Sequence, residues 1–330
     1  MIALELSNLL VIDNFTINQC KIILIIKCFN NESLLLKPFL FVKKGLEMTS
    51  LRKIKRIVRG RAAVDGAGVH LVRLFGHADT RDFDPFLLMD AFDSSNPEDY
   101  IKGFPWHPHR GIETVTYLIR GVLDHGDSLG NSGTILDGDC QWMTAGSGII
   151  HQEMPQPADL LLGCQIWLNL PAKDKFSPPE YNNILDDDVP VIDEGETKVH
   201  IIAGSYQGQR GAFEGRYVSP LYLDVEAKPG AEWSLETDPD TTLFVYILAG
   251  SAVFDLGSEE SLSEKNVVLF DQGTKFWMKA GNDGLRLLLL CGRPLGEPIA
   301  WGGPIVMNTH EELNQAFMEL REDSFIKHKP

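Results

Sequence analysis

At 330 residues the chain is long enough for two domains, each with a core of its own. A hydrophobic fraction of 44% with 23% charged residues excludes a disordered or fibrous protein. The net charge of −16 excludes a direct grip on nucleic acid or on an anionic membrane, because both depend on clustered Lys and Arg.

Residues 1–47 differ from the rest: they hold no Arg, one Gly (Gly45) and one Ala (Ala3). They read as an N-terminal extension of no assigned role, with Met48 the expected native start. A signal peptide is disfavoured because no positive charge precedes the first apolar run and Asp13 interrupts it. The run Ile22 to Ile26, bounded by Lys21 and Lys27, is too short to span a bilayer. The basic run Arg52-Lys53-Ile54-Lys55-Arg56 then reads as an edge strand with a charged outer face.

From Met48 onward, short β-branched apolar runs alternate with turns. Val69 to Phe75, Thr114 to Ile119, Leu160 to Leu168, Val199 to Ile202, Leu221 to Val225, Leu243 to Leu248 and Leu285 to Leu290 are predicted strands, punctuated by signals such as Asp137-Gly138 and Pro229-Gly230. The pattern predicts an all-β sandwich or barrel. Ser177-Pro178-Pro179-Glu180 and Asp186-Asp187-Asp188 mark a boundary, giving domains at 48–178 and 179–330. Tyr117-Leu118-Ile119-Arg120-Gly121 echoes Tyr246-Ile247-Leu248-Ala249-Gly250 across it, as a tandem duplication would. The offset of 129 puts Glu236 and Asp238 where the first half has His107 and His109, so the second copy is expected to lack a metal site. Near the C-terminus Thr309 and Glu312 form a capping box, and Leu313, Ala316, Phe317 and Leu320 follow as one helical stripe. Five cysteines without a Cys-x-x-Cys pair read as free thiols in a reducing compartment, hence a cytoplasmic protein.

The chemistry concentrates in His107-Pro108-His109 and His151-Gln152-Glu153. In a strand, residues i and i+2 share a face, so each pair can converge on one ion. Three imidazoles and a carboxylate suit a transition metal of the iron, zinc, copper or nickel type better than calcium or magnesium. His70, His77, His125 and His200 have no such companion and are expected to be structural or solvent-facing. Trp106 and Trp142 flank the motif and are expected to pack in the core; Cys140 reads as a buried thiol and Arg110 as half of a structural ion pair.

Phe104 to Val115, Asp127 to Gly133 and Gln141 to Pro155, supported by Gly303 to Thr309, closely resemble the pirin family. The resemblance covers about residues 48 to 325 and implies two tandem cupin barrels, with one iron(II) per chain in the first. It implies His107, His109, His151 and Glu153 as ligands. Cupins more widely take their carboxylate from His-x-His-x-x-x-Glu, here Glu113, which counts onto the face of His109 and is expected to support a ligand by hydrogen bonding. Zinc, copper, nickel and manganese fit the same ligand types. The activity implied is that of a quercetin 2,3-dioxygenase, acting on a flavonol-like substrate and O₂, with Glu153 accepting the substrate's hydroxyl proton. The alternative implied is an iron-dependent redox sensor or transcriptional coregulator that binds a protein partner without turnover, nuclear if eukaryotic. A monomer is expected, without direct contact to nucleic acid or membrane.

Overall fold

The computed structural model describes residues 50–328, so the 1–47 extension lies outside the described residues. The fold is mostly β and consists of two cupin-type barrels in tandem. Residues up to Ile184 supply strands β1 (Ile54–Arg59), β2 (Arg61–Asp65), β3 (Val69–Phe75), β4 (Phe86–Ser94), β5 (Phe104–His109), β6 (Ile112–Arg120), β7 (Val122–Asp127), β8 (Ser132–Ile135), β9 (Cys140–Thr144), β10 (Ile149–Gln156), β11 (Leu161–Asn169) and β12 (Glu180–Ile184). One sheet runs β12-β9-β6-β11-β4-β3-β2, and a four-stranded sheet, β5-β10-β7-β8, accompanies it.

The second half repeats the larger sheet. Its order is β1, Asn266–Phe270, Thr242–Val253, Lys275–Gly292, Leu221–Ala227, Thr197–Ala203 and Val191–Asp193. Each strand matches one of the first sheet in turn, as the tandem echo implied. Both echoed segments end in a glycine with positive φ, Gly121 (121°) and Gly250 (75°). A Cβ at Gly250 would lie 2.1 Å from the carbonyl oxygen of Gly284, so only glycine fits. Pairing crosses the 178/179 boundary in both directions. β1 completes the edge of the second sheet and β12 that of the first.

β1 is the charged edge strand expected: Lys55 and Arg56 pair outward with Asp82 and Asp79. Arg52, just before it, is instead buried and donates to Thr237, Asp238, Thr241 and Asp271. The barrels share an apolar layer in which Phe75 stacks on Phe83 at 4.0 Å while the Phe244 ring stands edge-on to both. Within that layer Tyr117 donates to the fully buried Asp224, which Arg286 also pairs. The helix His310–Arg321 begins with the predicted Thr309/Glu312 capping box. Its Leu313 and Ala316 bury against the strands Ala300–Gly302 and Ile305–Met307 and against Ile150 of the first barrel. No helix among the described residues is long and apolar enough to cross a membrane.

Candidate metal centre

β5 and β10 pair antiparallel with His107 opposite His151 and His109 opposite Ile149. The three imidazoles therefore share one face, and each offers a nitrogen within 4.8 Å of the others. Backbone carbonyls fix two of the rings. His109 Nδ1 lies 3.0 Å from the Pro304 oxygen and His107 Nδ1 lies 2.9 Å from the Pro105 oxygen. A carbonyl only accepts, so both Nδ1 atoms carry a proton, and in the neutral rings both Nε2 atoms then present lone pairs. Those two Nε2 atoms stand 3.1 Å apart. Neither nitrogen of the fully buried His151 has a protein partner. Facing lone pairs and an orphaned imidazole are costly in a protein interior unless a cation joins them, so the residues present fit a metal ion. Burial favours the neutral rings that ligation needs, lowering His151 and bringing His109 down to about 3.

Glu153 lies beside this trio. Alternation along β10 puts it on the buried face with His151, and its carboxylate accepts from both Gln165 Nε2 (2.8 and 2.9 Å) and Thr116 Oγ1 (3.1 Å). A register shift between His151 and Glu153 sets it opposite Phe104, and its oxygens fall outside the 4.8 Å group. Trp167 Nε1 donates to Gln165 Oε1, so the carboxylate hangs from a Trp167–Gln165 chain.

Glu113 makes no hydrogen bond to a site histidine. It accepts from Trp142 Nε1 and Thr144 Oγ1. Counting from His109 fails because Gly111, at φ 76°, ends β5 and restarts the alternation in β6. Glu113 therefore shares a face of β6 with Val115 and Tyr117, which pack into the layer between the barrels, whereas Thr116 faces Glu153. Backbone carbonyls do the orienting that was expected of Glu113.

Other expectations divide. Trp142 and Cys140 are buried in the core, and Arg110 pairs with Glu319 at 2.7 Å while donating to the Phe325 oxygen. Trp106 is 55% exposed on the outer face of β5, so it neither fills the core nor faces the centre. His77 lines the approach to the centre, 5.3 Å from the Trp301 ring. His125 is buried opposite Glu153 and stacks on Tyr181 at 5.0 Å. Neither histidine carries a spacing that could have flagged it.

The centre opens into a cavity of about 720 Å³. Trp167, Trp301 and Phe104 give it an aromatic wall, and Arg73, Asp90 and Asp65 a charged rim. Trp301 and Pro304 arrive from the C-terminal segment, so both halves of the chain build the site.

Two cupin barrels, one holding a histidine trio beneath an aromatic cavity, define a bicupin with, among the described residues, a single metal-type centre. The Pirin family model matches residues 68–168 and the pirin C-terminal cupin model residues 222–326; the chain belongs to the pirin family. It is 40% identical over 278 residues to a pirin-like protein of Caulobacter vibrioides, covering 83% of this chain and 99% of that one. It superposes on a quercetin 2,3-dioxygenase of Acinetobacter baumannii with a TM-score of 0.76 at 32% identity, over 84% of this chain and 99% of that one. The bacterial pirin YhhW of Escherichia coli, solved in complex with nickel(II), shares the fold at 17% identity and a TM-score of 0.53, over 72% of this chain and 98% of that one.

Proposed function

We propose that this protein is an iron-dependent dioxygenase that opens the heterocycle of flavonol-like substrates, with His107, His109, His151 and Glu153 holding the metal. The observation that carries the reading is the convergence of three imidazoles beneath a 720 Å³ aromatic-walled cavity, a volume suited to a small planar ligand. The likeness to a quercetin 2,3-dioxygenase supports the substrate class. Three imidazoles and one carboxylate leave coordination positions free, as an oxygen-using centre requires and a closed structural site does not. When bound, iron(II) supplies Lewis acidity and an electron path between substrate and O₂.

The protein's own residues do the rest. Trp167, Trp301 and Phe104 clamp a planar ring system and exclude water from one side of it. Glu153 accepts the proton of the hydroxyl next to the substrate carbonyl, and Gln165 and Thr116 aim its carboxylate. Nickel suits the same donor set, and the nickel(II) complex of YhhW supports metal binding by this fold.

One contact favours a second reading, a redox-responsive binding protein: the ligand His109 is hydrogen-bonded to Pro304, so a change at the metal bears directly on the C-terminal segment. A single assay separates the two. Protein loaded with iron(II) without oxygen is given quercetin and then O₂, with oxygen uptake and carbon monoxide both measured. Turnover with release of carbon monoxide is expected. Protein that neither consumes O₂ nor bleaches quercetin sinks the oxygenase reading, and the effect of iron oxidation on partner affinity becomes the measurement that matters.

A further inference from the structure

A buried ammonium joins the two halves of the chain beside a metal ligand. Lys175 lies in the loop between β11 and β12 and is only 1% exposed. Its Nζ donates to the carbonyl of Gly111 (2.8 Å), the carbonyl of Val306 (2.9 Å) and Asn169 Oδ1 (2.6 Å). Three acceptors use all three protons of the ammonium, and none of them is a carboxylate.

Gly111 stands two residues past His109, and Val306 two residues past Pro304. The two segments run parallel: Arg110 bridges to Ile305, and the Val306 amide donates to the Arg110 oxygen at 3.1 Å. On one side of this rung His109 Nδ1 donates to the Pro304 oxygen; on the other Lys175 clasps Gly111 and Val306 together. Glycine permits the approach, since a Cβ at position 111 would lie 2.0 Å from the Val306 oxygen and 3.1 Å from Lys175 Cδ.

A buried ammonium without a carboxylate is a costly way to fill a core position, which a methionine of similar length fills without desolvating a charge. What the charge adds is register. Slipping the C-terminal strand by one residue leaves a donor or a carbonyl unpaired in the interior, and the same slip carries the Pro304 oxygen off His109 Nδ1.

We infer that Lys175 is a positioning residue of the metal centre, holding the C-terminal strand in the register at which the Pro304 carbonyl orients His109. The inference rests on the reading of the histidine trio as a metal site.

The test is proton NMR of cobalt(II)-loaded protein, because cobalt(II) moves the ring protons of its ligands far outside the ordinary spectral range. In wild type the His109 Nδ1 proton, buried against Pro304, gives a shifted signal that exchanges slowly with solvent. In Lys175→Met that signal moves and exchanges faster, while the His107 proton, whose acceptor Pro105 lies on the same strand, keeps its shift. Cobalt(II) affinity, from competition with a chromophoric chelator, falls about tenfold, the lower end for lost support to a ligand. Phe244→Ala damages the layer between the barrels, away from this contact, and leaves both readouts at wild-type values. Lys175→Gln, too short to reach both carbonyls, acts in the same direction and covers the case in which Lys175→Met fails to fold. A His109 proton unchanged in every Lys175 variant that folds overturns the inference alone, as does an equal change in Phe244→Ala. Wild type that binds no cobalt(II) overturns the metal reading beneath it.

Discussion

Glu113 is the carboxylate whose role most sharply divides two descriptions of the centre. Burial pushes its pKa up from the ordinary 4.5 to about 7, making it a weaker acid, while the hydrogen bonds from Thr144 and Trp142 pull the other way. An acid with a raised pKa in the folded state keeps a proton that the unfolded chain has already released. Stability contributed by this group is therefore greatest below about pH 4.5, falls as pH rises toward 7, and is level above that. At about 1.36 kcal/mol for each tenfold change in proton affinity, the span amounts to roughly 3 kcal/mol. Glu113→Gln keeps an acceptor oxygen and removes the titration. The difference in unfolding free energy between variant and wild type, from urea denaturation of metal-free protein, should move in the variant's favour by roughly 2–3 kcal/mol between about pH 5 and about pH 8. Taking the difference cancels the histidines, whose lowered pKa values act with the opposite sign. A difference that does not change with pH refutes the buried neutral carboxyl. Loss of metal binding in the variant would place Glu113 in the centre instead of behind it.

Gln165→Leu removes the amide that holds both oxygens of Glu153; metal affinity should fall roughly 10- to 100-fold in competition with a chromophoric chelator. Phe244→Ala opens a cavity among Phe75, Phe83 and Phe86 and should cost about 3–5 kcal/mol in chemical denaturation. Lys175 is buried and donates to the carbonyls of Gly111 and Val306 and to Asn169, so Lys175→Met should loosen the C-terminal segment, seen as faster amide exchange across Ile305–Met307. Chelating the metal should lower the wild-type melting temperature, because ligand binding to the folded state adds about 4 kcal/mol at a thousandfold excess over Kd; His151→Ala should show no such increment.

Much of this was legible in the sequence because it is local. Strand spacing brought His107 to His109 and His151 to Glu153, and two strands placed side by side were enough to assemble the histidines. The Thr309/Glu312 box set the start of the terminal helix, and the echo of Tyr117–Gly121 in Tyr246–Gly250 announced the duplication. What escaped depends on distant partners or on broken periodicity. Gly111 interrupts the alternation from which Glu113 was placed. Pro304 reaches His109 across 195 residues, and no periodicity encodes a carbonyl as the group that orients a ligand. Arg73 lies within the predicted strand Val69 to Phe75 with no local signal to mark it, since its partners lie in other strands.

The pairing of equivalent strands explains why one barrel holds the centre and the other does not. In the first, Thr116 stands opposite Gln165, and these two hold Glu153. In the second, the same position pairs Val245 with Leu289, and Thr114 gives way to Leu243. Around them Trp233, Phe254, Phe270, Phe276 and Met278 close the second interior with apolar side chains. Polar groups inside a barrel are stable only while each keeps a partner, so a copy without a metal gains by exchanging them for leucine and valine. The second half nevertheless shapes the site from outside. It sends Trp301 to the cavity wall and the Pro304 carbonyl to His109, and Arg110, the residue next to that ligand, grips Glu319 and Phe325 in return. The centre that the sequence assigns to one domain is thus completed by the other, and damage to the C-terminal segment reaches the histidine trio through the Pro304–His109 hydrogen bond and through the contacts of Arg110.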